Sequence, residues 1–111
     1  LAMRENFGFE AYCNTVAEGV KGMLEHPVRP QLKEIGQPAL VLFGEQDYLI
    51  PNRALHKDLT TRQIAEEGTA ALGDAQLRIL PEAGHLLTFE KPEAVARAIE
   101  HFLSTSSMLI Q

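Results

Sequence analysis

Apolar side chains recur with helical spacing near the start of the chain. In residues 7–26 they lie three and four positions apart, which predicts a helix with one apolar face (Phe9, Tyr12, Cys13, Val16, Val20, Met23 and Leu24). Pro27 and Pro30 follow, and proline blocks the continuation of a helix. One further helical turn is predicted over residues 31–35.

A second apolar stripe of helical spacing lies near the other end (Val95, Ala98, Ile99 and Phe102). It predicts a helix from Pro92 to about Leu103, since proline suits the first turn of a helix. Glu90 and Glu93 would place negative charge at the positive end of the helix dipole. The remaining stretch, STSSMLIQ, is predicted to be a frayed end.

Two short apolar runs lie between these helices. Residues 39–43, ALVLF, are continuously apolar and precede Gly44, which is typical of a strand that a parallel sheet buries on both faces. Residues 76–80, QLRIL, predict a second strand, and residues 52–72 predict a helix with a break or a second short helix at Thr60 and Thr61. The order strand, helix, strand, helix indicates an α/β fold with a right-handed parallel crossover.

Polar residues with catalytic potential follow both predicted strands. Asp47 lies in the loop GEQDYLIP after the first strand, and His85 ends the loop PEAGH after the second. Because the carboxyl ends of adjacent parallel strands lie side by side, we expect these side chains within hydrogen-bonding distance. A carboxylate bonded to one imidazole nitrogen fixes the tautomer and leaves the other nitrogen free to accept a proton.

At these positions the sequence resembles the C-terminal part of an α/β-hydrolase. The resemblance covers QPALVLFGEQDYLIP (37–51) and QLRILPEAGHLLTFEKPEAVARAIEHFL (76–103). The matching positions are a Gly-x-x-Asp motif followed by proline, a Gly-His turn, and a closing helix (Gly44, Asp47 and Pro51; Gly84 and His85; Pro92, Ile99 and Phe102).

The resemblance implies that Asp47 is the acid and His85 the base of a nucleophile–His–Asp triad. It implies that residues 1–35 are the end of a helical cap and a connecting segment, and that residues 36–111 are the C-terminal portion of the hydrolase core. Tyr48, Leu49 and Leu86 would line the substrate pocket. The implied substrate is a small molecule with an ester, a thioester or a similar acyl group.

The chain has no Gly-x-Ser-x-Gly motif, which carries the nucleophile in this family. Its serines, Ser104, Ser106 and Ser107, follow the predicted final helix. We therefore expect a C-terminal fragment that is inactive by itself, with serine as the default nucleophile of the parent and aspartate or cysteine as alternatives. The competing hypothesis is a non-catalytic binding or oligomerisation module of the same fold.

Composition narrows the range of partners. The net charge of -5 argues against binding to nucleic acid or to anionic membranes, since both require basic patches. Cys13 is the single cysteine, which favours a reducing compartment, and we expect a cytoplasmic protein.

We expect no cofactor and no metal, although Asp47, Glu82 and His85 carry possible ligand atoms. The open edge of a two-stranded sheet predicts homo-oligomerisation or pairing with another chain.

Overall fold

The computed structural model describes the backbone of residues 8–109 and the side chains of residues 8–106. The chain divides into two compact units, residues 1–31 and residues 32–111. The first unit contains helix α1 (Phe9–Glu25), which confirms the helix predicted over residues 7–26, although residue 7 lies outside the described residues. A short 3-10 helix, Arg29–Glu34, replaces the single turn predicted over residues 31–35.

The second unit contains a two-stranded parallel sheet. Strand β1 (Ala39–Gly44) pairs with strand β2 (Ala75–Leu80), each one residue longer than predicted, so the described residues form helices and two parallel strands. The register runs from Ala39 opposite Ala75 to Gly44 opposite Leu80. The two strands therefore end at the same level, and the loops that follow them leave the sheet side by side.

The expected burial of the first strand on both faces is wrong for the described residues. Residues 39–43 are half-buried, and only Gly44 at the end of β1 is fully buried. Helix α2 (Thr61–Ala71) and helix α4 (Pro92–Leu109) both contact β1 but leave part of its surface uncovered. The continuous apolar run thus predicted the parallel pairing correctly, but it overestimated how much of the strand is buried.

Helix α2 is shorter than predicted. It spans Thr61–Ala71, and residues 52–60 form turns instead of the first half of a helix. Thr60 and Gln63 explain the start, because each side chain accepts a hydrogen bond from the other residue's backbone N–H in a capping box. The side chain of Asn52 accepts hydrogen bonds from the N–H groups of Ala54 and Leu55, which stabilises a local turn in place of a helix.

The final part of the chain forms two helices. The one-turn helix α3 (Leu87–Glu90) was not predicted, and helix α4 (Pro92–Leu109) continues past the predicted end at Leu103. The three serines therefore lie within α4 instead of following it, and residues 104–109 are helical instead of frayed. Residues 110 and 111 of the predicted frayed end lie outside the described residues.

Small side chains dominate the buried core of the described residues. Ala65, Ala83, Val95 and Pro51 are buried, and no large side chain is completely buried. Many large apolar side chains remain exposed, among them Leu24, Leu55 and Phe89. Within residues 8–109, neither long helix combines the length and hydropathy that crossing a membrane would require.

Candidate functional site

The loops after β1 and β2 are held together through their backbones. The N–H of Glu45 donates to the carbonyl of Leu80 at 2.9 Å, and that of Gln46 donates to the carbonyl of Ala83 at 2.8 Å. Gly44 permits this approach, because a Cβ there would clash with the carbonyl oxygens of Ala83 and Gly84. Glycine is thus required at this position of the Gly-x-x-Asp motif, because the second loop passes too close to leave room for a side chain.

Asp47 and His85 form a direct contact between these loops. The Asp47 Oδ2 atom lies 2.9 Å from Nδ1 of His85. The other carboxylate oxygen, Oδ1, accepts hydrogen bonds from the N–H groups of Leu49 (2.9 Å) and Ile50 (3.0 Å). Since an ionised carboxylate can only accept, Nδ1 carries the proton in this contact and Nε2 is left free.

The environment keeps the Asp47 carboxyl group ionised. Asp47 is 2% exposed, and burial by itself raises its pKa. The hydrogen bonds from His85, Leu49 and Ile50 outweigh burial and hold the pKa of Asp47 below its ordinary value, and the charge of His85 lowers it further when the ring is protonated. The side chain of His85 is 39% exposed, so its ring lies between the buried Asp47 carboxylate and the accessible surface.

Thr61 and Arg53 support the Asp47 loop from the side of α2. The buried hydroxyl of Thr61 lies 2.8 Å from the Asp47 carbonyl oxygen and 2.6 Å from that of Ile50, and its single proton is shared between them. The Arg53 guanidinium donates to the Thr61 hydroxyl at 3.3 Å and to the Asp47 carbonyl at 3.4 Å. Neither residue is recognisable as part of the site from the sequence, because neither belongs to a local motif.

Glu90 supports the His85 loop in a comparable way. Its Oε1 accepts from the N–H of Gly84 at 3.1 Å, and its Oε2 accepts from the N–H of Leu86 at 3.0 Å. The carboxylate of Glu90 thus turns back towards this loop, and its expected role at the positive end of the final helix stays a prediction. The signal in the sequence is its position, one helical turn after Leu86.

An open cavity of about 390 Å³ lies beside His85. All three residues predicted to bind substrate, Tyr48, Leu49 and Leu86, line it together with His85, and their role there remains a prediction. The rest of the lining comes from the same loops (Gln46, Gly84 and Glu90). The Tyr48 ring lies under the guanidinium of Arg53, 5.9 Å from ring centroid to Cζ.

A metal site finds no support among the described residues. They contain no group of three or more His, Cys, Asp and Glu side chains placed to hold an ion. Glu82, the third ligand considered, lies on the turn after β2 with a positive φ of 54°. Asp47 and His85 thus form a carboxylate–imidazole pair, which is suited to moving a proton.

Comparison with known proteins gives one partial similarity. The chain is 32% identical over 76 residues to YugF, an uncharacterized hydrolase of Bacillus subtilis (strain 168). The matched stretch covers 66% of this chain and 23% of that protein, so the chain spans under a quarter of its relative's length. No family model matches the sequence, and no solved structure matches it. The similarity supports a relationship to a hydrolase.

Proposed function

We propose that this chain is the C-terminal part of an α/β-fold hydrolase in which Asp47 and His85 are the acid and base of a nucleophile–His–Asp triad. The observation that carries the proposal is the 2.9 Å contact between Asp47 Oδ2 and His85 Nδ1 at the adjacent carboxyl ends of β1 and β2. The partial similarity to an uncharacterized hydrolase favours the same reaction class.

His85 would transfer protons in both halves of the reaction. Its Nε2 atom takes the proton of the nucleophile, whose oxygen or sulfur attacks the carbonyl carbon of an ester or a thioester. The same proton then passes to the departing alcohol or thiol, and a covalent acyl intermediate remains. In the second half, Nε2 of His85 takes a proton from a water molecule whose oxygen attacks the acyl carbon, and it returns that proton to the nucleophile as the acid departs. Asp47 orients the ring and stabilises the imidazolium throughout.

The nucleophile of this proposal lies outside the 111 residues. None of the side chains that line the cavity beside His85 belongs to a serine, threonine or cysteine. Among the described side chains, Ser104 donates its hydroxyl to the carbonyl of His101 within α4, and Ser106 is buried in the same helix. We therefore expect the isolated chain to be inactive. We also propose that residues 1–35 are the end of a helical cap and a connecting segment.

The proposal is tested in the complete protein encoded by the gene that contains this sequence. We expect a Gly-x-Ser-x-Gly motif before Leu1, hydrolysis of p-nitrophenyl esters, and labelling of the motif serine by a fluorophosphonate. His85→Ala should lower kcat by at least about 10⁴-fold. His101→Ala, a matched change at an exposed histidine of α4, should leave kcat unchanged.

Two outcomes would refute the proposal. One is a gene that encodes only these 111 residues. The other is a His85→Ala enzyme that retains most of its activity while the His101→Ala control behaves like the wild type.

A binding or oligomerisation module is the second candidate, and the open edge of β1 favours it. The N–H of Ala39 donates to Asp74 on the β2 side. Because successive residues of a strand direct their backbone groups to opposite sides, those of Leu40 and Leu42 point away from β2. Among the described residues, each strand pairs on one side only, so this edge is available for another strand.

The edge is tested by light scattering of the 111-residue chain at micromolar concentration. Leu40→Pro removes an outward N–H without removing a bond to β2, and it should shift an oligomer to monomer. Leu40→Ala removes the side chain but keeps the N–H, so it should leave the assembly intact. A wild-type chain that is monomeric throughout would contradict pairing through this edge.

A further inference from the structure

The backbone N–H groups of the two residues next to His85 in sequence share one carboxylate. Glu90 accepts from the N–H of Gly84 with one oxygen and from the N–H of Leu86 with the other. The contact is close, because a Cβ on Gly84 would lie 3.0 Å from both Glu90 oxygens. Glu90 therefore fixes the backbone immediately before and after the residue that carries the imidazole.

Helix α3 accounts for this position of Glu90. The N–H of Glu90 donates to the carbonyl of Leu86 at 2.9 Å, which closes a single helical turn directly after His85. Residues four apart in a helix lie on the same face, so the Glu90 side chain returns to the start of the turn. There it meets N–H groups that have no partner within the helix, as at any helix start.

The carboxylate of Glu90 and that of Asp47 act on different parts of His85. Asp47 contacts the ring at Nδ1, whereas Glu90 contacts only the main chain on either side of the Cα atom. An imidazole meets its partner at 2.9 Å only if its Cα–Cβ bond points in the right direction. Holding the peptide plane directly after His85, together with the Gly84 N–H before it, restricts that direction before substrate binds.

We infer that Glu90 is a positioning residue for His85, which holds the imidazole against Asp47 by clamping the N–H groups of Gly84 and Leu86. This inference rests on the proposed function, in which His85 is the base. Glu90 transfers no proton and does not contact the reacting atoms. The clamp requires two acceptor oxygens at the length of a glutamate, so neither glutamine nor aspartate replaces it.

The test uses nitrogen-15 NMR of the 111-residue chain, which reads the tautomer of His85 and the exchange of the Gly84 and Leu86 amides. At mildly alkaline pH, the wild type should show a protonated Nδ1 and an unprotonated Nε2. Glu90→Gln loses one charged acceptor, so the two amides should exchange about tenfold faster and the tautomers should mix. Glu90→Asp keeps the charge but is too short, and it should behave like Glu90→Gln.

Two further variants separate the clamp from charge and from folding. Glu93→Gln removes an equal charge three residues away, where the side chain is exposed and pairs with Arg97 at 3.9 Å, and it should leave the His85 signals unchanged. Gly84→Ala keeps Glu90 but pushes its carboxylate away from the loop, and it should mix the tautomers as Glu90→Gln does.

A wild-type tautomer in Glu90→Gln would overturn the inference, and so would full restoration of the tautomer by Glu90→Asp. The complete enzyme separates this result from the proposed function. There, Glu90→Gln should lower kcat about tenfold with little change in KM, because the loss concerns orientation and not substrate binding. If His85→Ala leaves the enzyme active, the proposed function fails, whereas the NMR result on Glu90 still stands or falls by itself.

Discussion

Polar groups are buried and hydrogen-bonded in the loops at the strand ends, whereas the apolar surfaces of the sheet are only partly covered. At the strand ends, Asp47 is 2% exposed and both of its carboxylate oxygens accept hydrogen bonds. In β1, by contrast, residues 39–43 are all half-buried, and no large side chain of the described residues is completely buried. The site thus depends on short-range polar contacts, whereas the apolar faces have room for further cover.

This difference predicts where substitutions are costly. In a domain with a complete core, truncating large apolar side chains gives the largest losses of stability. Here we expect the largest losses at the strand ends, where backbone and polar contacts are dense. These losses are expected in the free energy of unfolding of the 111-residue chain, measured by denaturant titration.

The largest effect is expected for Gly44→Ala. The new Cβ would clash with backbone carbonyls of Ala83 and Gly84, which cannot rotate away as a side chain could. We expect a loss of about 3 kcal/mol. The control is Gly68→Ala within α2, where the added Cβ meets nothing within 4 Å and should stabilise by about 0.5–1 kcal/mol. Equal effects at both positions would show that the loops are not tightly packed.

Asp47→Asn should cost about 2 kcal/mol at neutral pH, because a charged acceptor of three hydrogen bonds becomes neutral. The pKa of Asp47 is lower in the folded chain, so its stabilisation is complete above the unfolded-state pKa of about 3.9 and is lost as pH falls through the lower folded-state value. The gap between wild type and Asp47→Asn should close over that acidic range. Asp58→Asn, an exposed turn residue, should show no such gap.

Thr61→Val should cost about 1.5 kcal/mol, because the carbonyls of Asp47 and Ile50 lose a buried donor. Thr69→Val in the same helix removes only a bond to the carbonyl of Ala65, four residues earlier, and should change stability by less than about 0.5 kcal/mol. If the two variants are equally stable, Thr61 does not support the Asp47 loop.

The smallest effect is expected on the apolar side, for Ile99→Ala. Ile99 is 42% exposed in α4, so truncation should cost about 1 kcal/mol or less, below the range for a buried isoleucine. Val95→Ala, at a buried position of the same helix, should cost more although it removes fewer atoms. A loss at Ile99 of about 3 kcal/mol would show that the apolar surfaces stabilise the chain as much as the contacts at the site do, which would contradict the difference described above.

The pattern of hydrophobic residues predicted the elements in which apolar side chains recur at regular spacing. The run ALVLF predicted β1 and its place in a parallel sheet. The apolar stripes of α1 and α4 predicted helices close to their observed positions. The pattern wrongly extended the helix before β2 back to residue 52, but the break expected at Thr60 and Thr61 coincides with the start of α2, which a capping box between Thr60 and Gln63 determines. It also missed α3, since one helical turn is too short to show a periodic pattern.

For the site, the sequence located Asp47 and His85 because each follows a strand, and strand ends meet in a parallel sheet. It did not reveal the residues that hold them. Thr61 lies 14 positions from Asp47, and a contact over that distance leaves no local signal. Glu90 carried a signal in its spacing from Leu86, but the nearby Pro92 favoured assigning it to the start of the next helix.

The backbone bonds from Glu45 and Gln46 to the second loop have a consequence for variation within this architecture. They align Asp47 and His85 without using any side chain that projects into the cavity. Tyr48 and Leu86 line that cavity at 72% and 64% exposure, and no hydrogen bond of the aligned pair depends on their side chains. Replacing these two side chains should therefore reshape the cavity while the proton-transfer pair stays in place, so that selectivity and chemistry can evolve separately.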